Sequence, residues 1–230
     1  MYERKNPTSI KLLFDNISND YDKMNNVMSF GMQNIIKKLS INRLNAKKPQ
    51  KIIDLCTGTG DIAILLAKKY PNAEITGIDF SEKMIKLAKE KTKKYPNIKI
   101  KQGNVMDLKI EDNSFDICTI SFGLRNLPDI EQSITEMNRI LKKEGIISIL
   151  DLGRVYPIVA PIYNFYFFKI IPLIGKIIHK ENMSYKYLVN SLPEYPPPNE
   201  ILKILKKNKF TNTKNINYAF GAIAQQTGIK

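Results

Sequence analysis

Lys51–Lys69 reads KIIDLCTGTGDIAILLAKK, and the order of its parts decides the fold. KIIDLC (51–56) is a short β-branched run of the kind that forms a strand buried on both faces. Glycines follow at 58 and 60, where the chain must turn sharply and let backbone N–H groups approach a ligand. From about Asp61 to Lys69, the spacing of Ile62, Leu65 and Leu66 predicts a helix. Strand, Gly-rich turn and helix in that order open a doubly wound α/β unit.

Outward from this unit the alternation repeats. EITGIDF (74–80) predicts a second strand, and Ser81 is placed to cap the helix SEKMIKLAKEKTKK, with Met84, Leu87 and Ala88 at helical spacing. NIKIKQG (97–103) and DNSFDICTISF (112–122) predict a third and a fourth strand. A helix from about Ile130 to Leu141 is expected to stop at Lys142, Lys143 and Gly145, and GIISILDL (145–152) to form a fifth strand. Residues 8–45 predict two helices broken near Ser29, Phe30 and Gly31. Pro196–Pro198 must be a turn or a rigid link.

Residues 155–178, VYPIVAPIYNFYFFKIIPLIGKII, are apolar and aromatic. A membrane span needs about 20 apolar residues with few charges. Prolines at 157, 161 and 172 and lysines at 169 and 176 interrupt this run, which favours paired helices at the sheet's edge. Tyr163, Phe165, Tyr166, Phe167 and Phe168 then build core, wall an apolar ligand or face a bilayer.

The chain's 230 residues, 43% apolar, suffice for one domain with a sizeable core. The net charge of +14 lies at the ends, with +5 in residues 1–50, +5 in 200–230 and only +2 in 51–150. That distribution favours solvated lysines over a nucleic-acid footprint. Cys56 and Cys118 are too few for a disulfide scaffold and point to a reducing, cytoplasmic setting. The N-terminal sequence lacks the apolar run and small-residue cleavage site of a signal peptide. A single histidine, His179, argues against metal chemistry.

Asp54–Gly60 reads DLCTGTG, and Asp79 ends the next strand 19 residues after Gly60, where a carboxylate can accept from both ribose hydroxyls. An adenosine-bearing ligand follows. Asp61 stands at the positive end of the helix, where a pyrophosphate would meet a carboxylate but the ammonium of a methionine moiety would be welcome. This charge logic favours S-adenosylmethionine over NAD or ATP. Phe80 is placed either to pack on adenine or to join the sheet core, Asn104 to reach adenine's polar edge, and Asp107 to do the same or to cap the following turn. Cys56 stands where many such loops carry glycine. After the fourth strand, Arg125 and Asn126 sit side by side among apolar residues at the ligand-binding end of the sheet. They are read either as a structural pair, with Asp129 or Asp151 as the ion partner of Arg125, or as groups that stabilise a developing phenolate or enolate.

YDKMNNVMSFG (21–31), DLCTGTGD (54–61), GIDFSEKM (77–84), DNSFD (112–116), TISFGLRNLPD (119–129) and YNFYFFKIIPLIGK (163–176) together resemble the quinone-biosynthesis C-methyltransferases. This is the demethylmenaquinone / 2-polyprenyl-6-methoxy-benzoquinol methyltransferase family, and the likeness runs from Phe14 to Gly228. The resemblance implies a class I S-adenosylmethionine-dependent methyltransferase: a Rossmann-like α/β fold with a mostly parallel seven-stranded sheet and helices on both faces. One domain is expected, with a helical lid in 1–45, a cofactor-binding core in 51–152, a substrate- or membrane-facing helical insertion in 155–190 and the last of the sheet in 199–230.

The same resemblance assigns roles by position. Tyr21 and Asp22 belong to the lid, and Asp54, Gly58, Thr59 and Gly60 to the cofactor loop, with Thr59 in contact. Asp79 binds ribose, Asn104 and Val105 lie beside adenine, and Ser121 makes a later cofactor contact. Arg125 and Asn126 match the catalytic pair and would hold a water near the quinol hydroxyl, with Asp151 as reserve base. Family members usually carry Glu-Phe-Ser-Lys-Pro where this chain has Asp151–Val155, DLGRV. The implied acceptor is a prenylated quinol, demethylmenaquinol ahead of the 2-polyprenyl-6-methoxy-benzoquinol precursor. Peripheral contact with the inner face of a membrane and a homodimer accord with that role; no nucleic-acid partner is expected, an RNA methyltransferase being the more remote alternative.

Overall fold

The structure is a computed structural model that describes residues 6–171, 173, 191 and 193–230. Three helices lead: α1 (Pro7–Ile17), α2 (Tyr21–Met28) and α3 (Met32–Asn42). The alternating core follows as β1 (Lys51–Leu55), α4 (Asp61–Lys69), β2 (Glu74–Asp79), α5 (Glu82–Thr92), β3 (Ile98–Gln102), β4 (Phe115–Ser121), α6 (Ile130–Ile140) and β5 (Leu141–Leu152). Beyond it lie α7 (Ala160–Phe165), continued as a π-helical turn over Tyr166–Ile170, then α8 (Pro198–Lys207), β6 (Thr211–Tyr218) and β7 (Ile223–Ile229). Residues 174–190, His179 among them, lie outside the described residues.

The sheet has seven strands in the order β3-β2-β1-β4-β5-β7-β6. The first five are mutually parallel, and β7 runs antiparallel to both β5 and β6. This is the Rossmann-like class I arrangement expected from the sequence. Successive β1 residues feed opposite layers: Ile52 packs with α3 and α4 through Ile41, Leu44, Ile62 and Leu66, while Ile53 packs with α6 and α8 through Ile134, Met137, Ile201 and Leu205. Burial on both faces is why the parallel strands read as unbroken apolar runs.

Local chemistry sets most element boundaries. The Ser81 hydroxyl accepts from the Met84 N–H at 3.1 Å, capping α5 as its position predicts. Asp129 is the corresponding cap of α6, accepting from the Gln132 N–H at 2.9 Å, and so is not the ion partner of Arg125. Two expectations are corrected. Residues 8–45 form three helices, because the chain also breaks at Ser18–Asp20, besides the turn at Phe30 (φ 49°) and Gly31 (φ 75°). Nor do Lys142, Lys143 and Gly145 end a helix: Leu141 is already extended (φ −73°, ψ 141°) and opens β5. The pairing slips between Phe115–Leu141 and Ile117–Ile146, so residues 142–145 hold a bulge, with Glu144 at φ 65°. Lys142 turns its ammonium to Asp116 at 2.8 Å. A Cβ on Gly145 would lie 2.7 Å from the Lys142 carbonyl oxygen, so the bulge closes only around glycine.

Candidate active site

Two clefts open at the carboxyl ends of the parallel strands, where an α/β sheet binds its ligands. The first encloses about 830 Å³, counting space open to solvent, and gathers residues from five segments. Gly58 comes from the loop after β1, Asp79 and Phe80 from the end of β2, Asn104 and Val105 from the loop after β3, and Ser121 and Asn126 from the end of β4 and the turn beyond it. Tyr21 on α2 and the side of α1 bearing Ile10 and Phe14 cover this cleft. Eight site residues named from the sequence thus meet there, joined by Cys56.

Asp79 is the polar centre of that cleft. Its Oδ2 accepts from the Gly58 N–H at 2.8 Å and its Oδ1 from the Ser81 N–H at 2.9 Å, so the carboxylate is fixed in direction while each oxygen keeps further acceptor capacity. Burial raises its pKa above the ordinary carboxylate value, against the pull of those N–H groups. Asn104 Oδ1 accepts from the Met106 N–H at 3.0 Å, which orients the amide on the rim. Phe80, Val105, Met106 and Leu127 add apolar walls.

These residues fit a nucleoside with a sulfonium. Gly58 takes φ 55°, and a Cβ there would meet nothing within 4 Å, so the loop borders open space with bare backbone. Lys11, the cation of the lining, is already paired with Glu82 at 2.8 Å, which leaves a polyphosphate without a counter-charge.

Other residues named from the sequence stand behind or beside the cleft. Asp54 is buried under the loop and does not line it: it accepts from the Thr57 hydroxyl at 2.6 Å and the Thr119 hydroxyl at 2.7 Å, and burial pushes its pKa up to about 7. Thr59 donates to Asp22 at 2.8 Å and accepts from Lys91 at 3.3 Å, facing a separate polar recess. Gly60, at φ 86°, lets α4 pass close to α5, since a Cβ would lie 3.1 Å from Thr92 Cγ2. Asp107 faces solvent, paired with Lys109 at 2.7 Å. Asp61 does not greet an ammonium. Lys37 holds it at 2.9 Å and Lys91 also pairs with it; although burial opposes them, the two lysines keep its pKa below the ordinary value.

The second cleft is larger, about 1490 Å³, and mainly apolar. Met28 and Ile36 from the N-terminal helices, Val159 and Tyr163 from the segment around α7, and Ile223 from β7 contribute to it. Tyr21 and Phe122 line both clefts and form the partition between them. Asn126 faces the first cleft and Arg125 the second, so adjacent residues of one 3-10 turn (Leu124–Asn126) address the two chambers.

The local backbone explains this divergence. Phe122 takes φ 56°, and its carbonyl accepts from Arg125 Nη1 at 2.8 Å and from Asn126 Nδ2 at 3.3 Å. Gly123 is required next, because a Cβ would stand 2.4 Å from that of Cys56. Asp151 binds the Arg125 guanidinium at 2.5 Å and accepts from the Arg125 N–H at 3.2 Å and the Leu152 N–H at 2.8 Å. Only 1% exposed and lining neither cleft, Asp151 is the counter-ion of Arg125 and is not placed as a base.

Two phenols stand out: Tyr163, one of the aromatics expected to build core, wall an apolar ligand or face a bilayer, and Tyr195, which sequence reading missed. Tyr163 lines the apolar cleft, stacked on Phe167 at 5.4 Å between centroids, and burial pushes its pKa up to about 12 while Arg125 pulls the other way. Tyr195 is buried, with no hydrogen-bond partner for its hydroxyl among the described residues. Aromatic content alone does not separate a cleft-facing phenol from core.

The profile of the ubiE/COQ5 methyltransferase family matches residues 2–230. A demethylmenaquinone methyltransferase of Staphylococcus aureus (strain JH9) is 37% identical over 229 residues, 99% of this chain and 95% of that protein. Among solved structures, a SAM-dependent methyltransferase of Thermotoga maritima superposes with a TM-score of 0.67 at 18% identity, covering 95% of this chain and 98% of its own. One from Aquifex aeolicus gives 0.58 at 18% identity, covering 97% and 98%. These two likenesses speak to the fold. The chain belongs to the ubiE/COQ5 methyltransferase family and is an S-adenosylmethionine-dependent methyltransferase.

Proposed function

We propose that this enzyme methylates a ring carbon of a reduced, prenylated quinol, with demethylmenaquinol as acceptor and menaquinol as product. One observation carries the reading: a polar cleft suited to a nucleoside and a larger apolar cleft share the partition Tyr21–Phe122, with Asn126 on one side and Arg125 on the other. The 37% identical S. aureus relative, a demethylmenaquinone methyltransferase, supports that head group.

S-adenosylmethionine, when bound, supplies an electrophilic methyl on a sulfonium. Asp79, with Phe80, Asn104 and Val105, would hold its nucleoside; Ser121 and Asn126 line the same space nearer the partition. An aromatic carbon becomes a competent nucleophile when an ortho hydroxyl loses its proton and pushes electron density into the ring. Arg125, its charge balanced by Asp151, lowers the cost of that phenolate by presenting guanidinium N–H donors at the edge of an apolar chamber. Asp151 fixes the guanidinium while the Phe122 carbonyl holds both Arg125 and Asn126. The proton passes to water, which Arg125 and Asn126 orient; no histidine stands among the described cleft-lining residues.

The test is a methyl-transfer assay with reduced demethylmenaquinone and with the reduced polyprenyl-methoxy-benzoquinone precursor, read by mass. One methyl added to the demethylmenaquinol ring is the expected result. Methylation of neither quinol would remove the reading, and preference for the second would replace the acceptor.

A further inference from the structure

A phenolate forming in the apolar cleft needs hydrogen-bond donors that are not already spent on the protein. Arg125 is partly committed, since its Nη1 donates to Asp151 and to the Phe122 carbonyl. Neighbouring hydroxyls of the lining are committed as well. Ser29 donates to the Asn25 carbonyl at 2.7 Å and accepts from the Gln33 N–H at 3.2 Å, while Tyr166 donates to the Met28 carbonyl at 2.9 Å. Tyr21, on the partition, is engaged by the Asn25 side chain. Tyr163 differs: it lines the same cleft, and among the described residues its hydroxyl makes no hydrogen bond.

The ring that carries this hydroxyl is fixed. Tyr163 stacks on Phe167, about one helical turn further along, with centroids 5.4 Å apart and planes 15° from parallel. Phe167 is buried and packs edge-on against Phe168. The apolar cluster around Phe167 also takes in Leu152, the residue after Asp151, so the phenol stands at the same corner of the sheet as the Arg125–Asp151 pair. Arg125 is near enough to pull the Tyr163 pKa down, but burial prevails and pushes it up to about 12. At neutral pH the phenol therefore keeps its proton, which suits a donor and not a base. A fixed O–H beside a developing oxyanion, in a chamber poor in other donors, forms a short and strong hydrogen bond to it.

We propose that Tyr163 is a further catalytic residue, whose hydroxyl donates a hydrogen bond to the quinol oxygen that ionises, so that Tyr163 and Arg125 stabilise the phenolate together. The inference rests on the prenylated-quinol reading and deepens it. Tyr163 gives up no proton: the quinol proton goes to water, and the tyrosine acts as a neutral donor throughout.

The test is Tyr163→Phe in the full chain, which removes the oxygen and keeps the ring on Phe167. Its kcat on reduced demethylmenaquinone should fall at least about tenfold, with the KM for the acceptor and the Kd for S-adenosylhomocysteine within about twofold of wild type. The limb of kcat that rises with pH as the bound quinol ionises should move up by about one unit, because a lost donor raises the pKa of its acceptor. A second measurement needs no turnover. 4-Methoxy-1-naphthol, which has one ionisable hydroxyl on a fused ring, is bound with S-adenosylhomocysteine present and titrated by the absorbance of its naphtholate. In Tyr163→Phe the bound naphthol should ionise about one pH unit higher than in wild type. Wild-type kcat with an unmoved pH limb would overturn the proposal. So would a raised KM at unchanged kcat, which would leave Tyr163 only a wall of the cleft, or equal naphthol pKa values in the two proteins. If the wild type methylates neither quinol, the acceptor reading fails, and the naphthol titration still decides the role of Tyr163.

Discussion

Asp151 Oδ1 lies 2.5 Å from Arg125 Nη1 in a site where the two side chains are 1% and 8% exposed. Two backbone N–H groups, of Arg125 and Leu152, also donate to this carboxylate. The pair joins the end of β5 to the turn after β4 and holds one cation at the edge of an apolar chamber. A buried ion pair gives little net stability over apolar packing, but losing one partner leaves an uncompensated charge. Its place beside the cleft therefore argues for positioning.

Asp151→Asn is expected to destabilise the fold by about 3 kcal/mol or more. It should also reduce turnover more than it raises the KM for the acceptor, because Arg125 loses its fixed direction. Denaturant unfolding alongside steady-state kinetics checks both; a stable variant with wild-type turnover would contradict the role.

Asp79→Asn should weaken cofactor binding by about tenfold, since ribose hydroxyls lose a charged acceptor. Burial raises the Asp79 pKa, so the wild type should lose cofactor affinity on acidification at a higher pH than an ordinary carboxylate would dictate. Calorimetric titration with S-adenosylhomocysteine measures this. The variant should show a flat profile over that range; parallel profiles would rule out Asp79 as the titrating group.

Asp54 makes the stability of the fold depend on pH. Its folded pKa of about 7 lies above the unfolded value, so the folded state binds the extra proton. The stability this confers is fully present below about pH 4 and is lost as pH rises through about 7, with a slope of at most about 1.4 kcal/mol per pH unit. Asp54→Asn keeps partners for Thr57 and Thr119 and should lack that slope, so the stability difference between the two proteins should change with pH across this range. Identical pH dependence in both would contradict it.

Lys91 ties Asp22 on α2 and Asp61 on α4 to α5, with Thr59 in the same cluster. The Lys91 side chain is 37% exposed, so Lys91→Ala should cost less than about 1 kcal/mol of global stability. Local opening should nonetheless rise: proteolysis at the α1–α2 junction, residues 18–20, is expected to speed up, with S-adenosylmethionine restoring protection. Unchanged cleavage would show that the cluster does not pin the lid.

The core alternation was legible because parallel strands covered on both faces leave short β-branched runs, as in KIIDL and FDICTIS. The edge of β5 was not: lysines and a glycine after a helical pattern carry the same composition whether they end a helix or bulge a strand. Only the slip between Phe115–Leu141 and Ile117–Ile146 distinguishes them. Within the site, positions at strand ends, such as Asp79 and Ser121, were readable because the fold itself carries them to the cleft. The partners of Thr59 and Asp61, namely Asp22, Lys37 and Lys91, were not readable because they come from helices remote in sequence. The choice between Asp129 and Asp151 for Arg125 likewise needed tertiary structure, since either carboxylate suits a guanidinium by type.

The most direct measurement is the turnover of Arg125→Ala on demethylmenaquinol under single-turnover conditions, paired with its Kd for S-adenosylmethionine. Turnover should fall at least about tenfold while the Kd stays within about twofold of wild type. Undiminished turnover, or a loss of cofactor affinity equal to the loss of rate, would contradict a phenolate-stabilising guanidinium at the meeting of the two clefts.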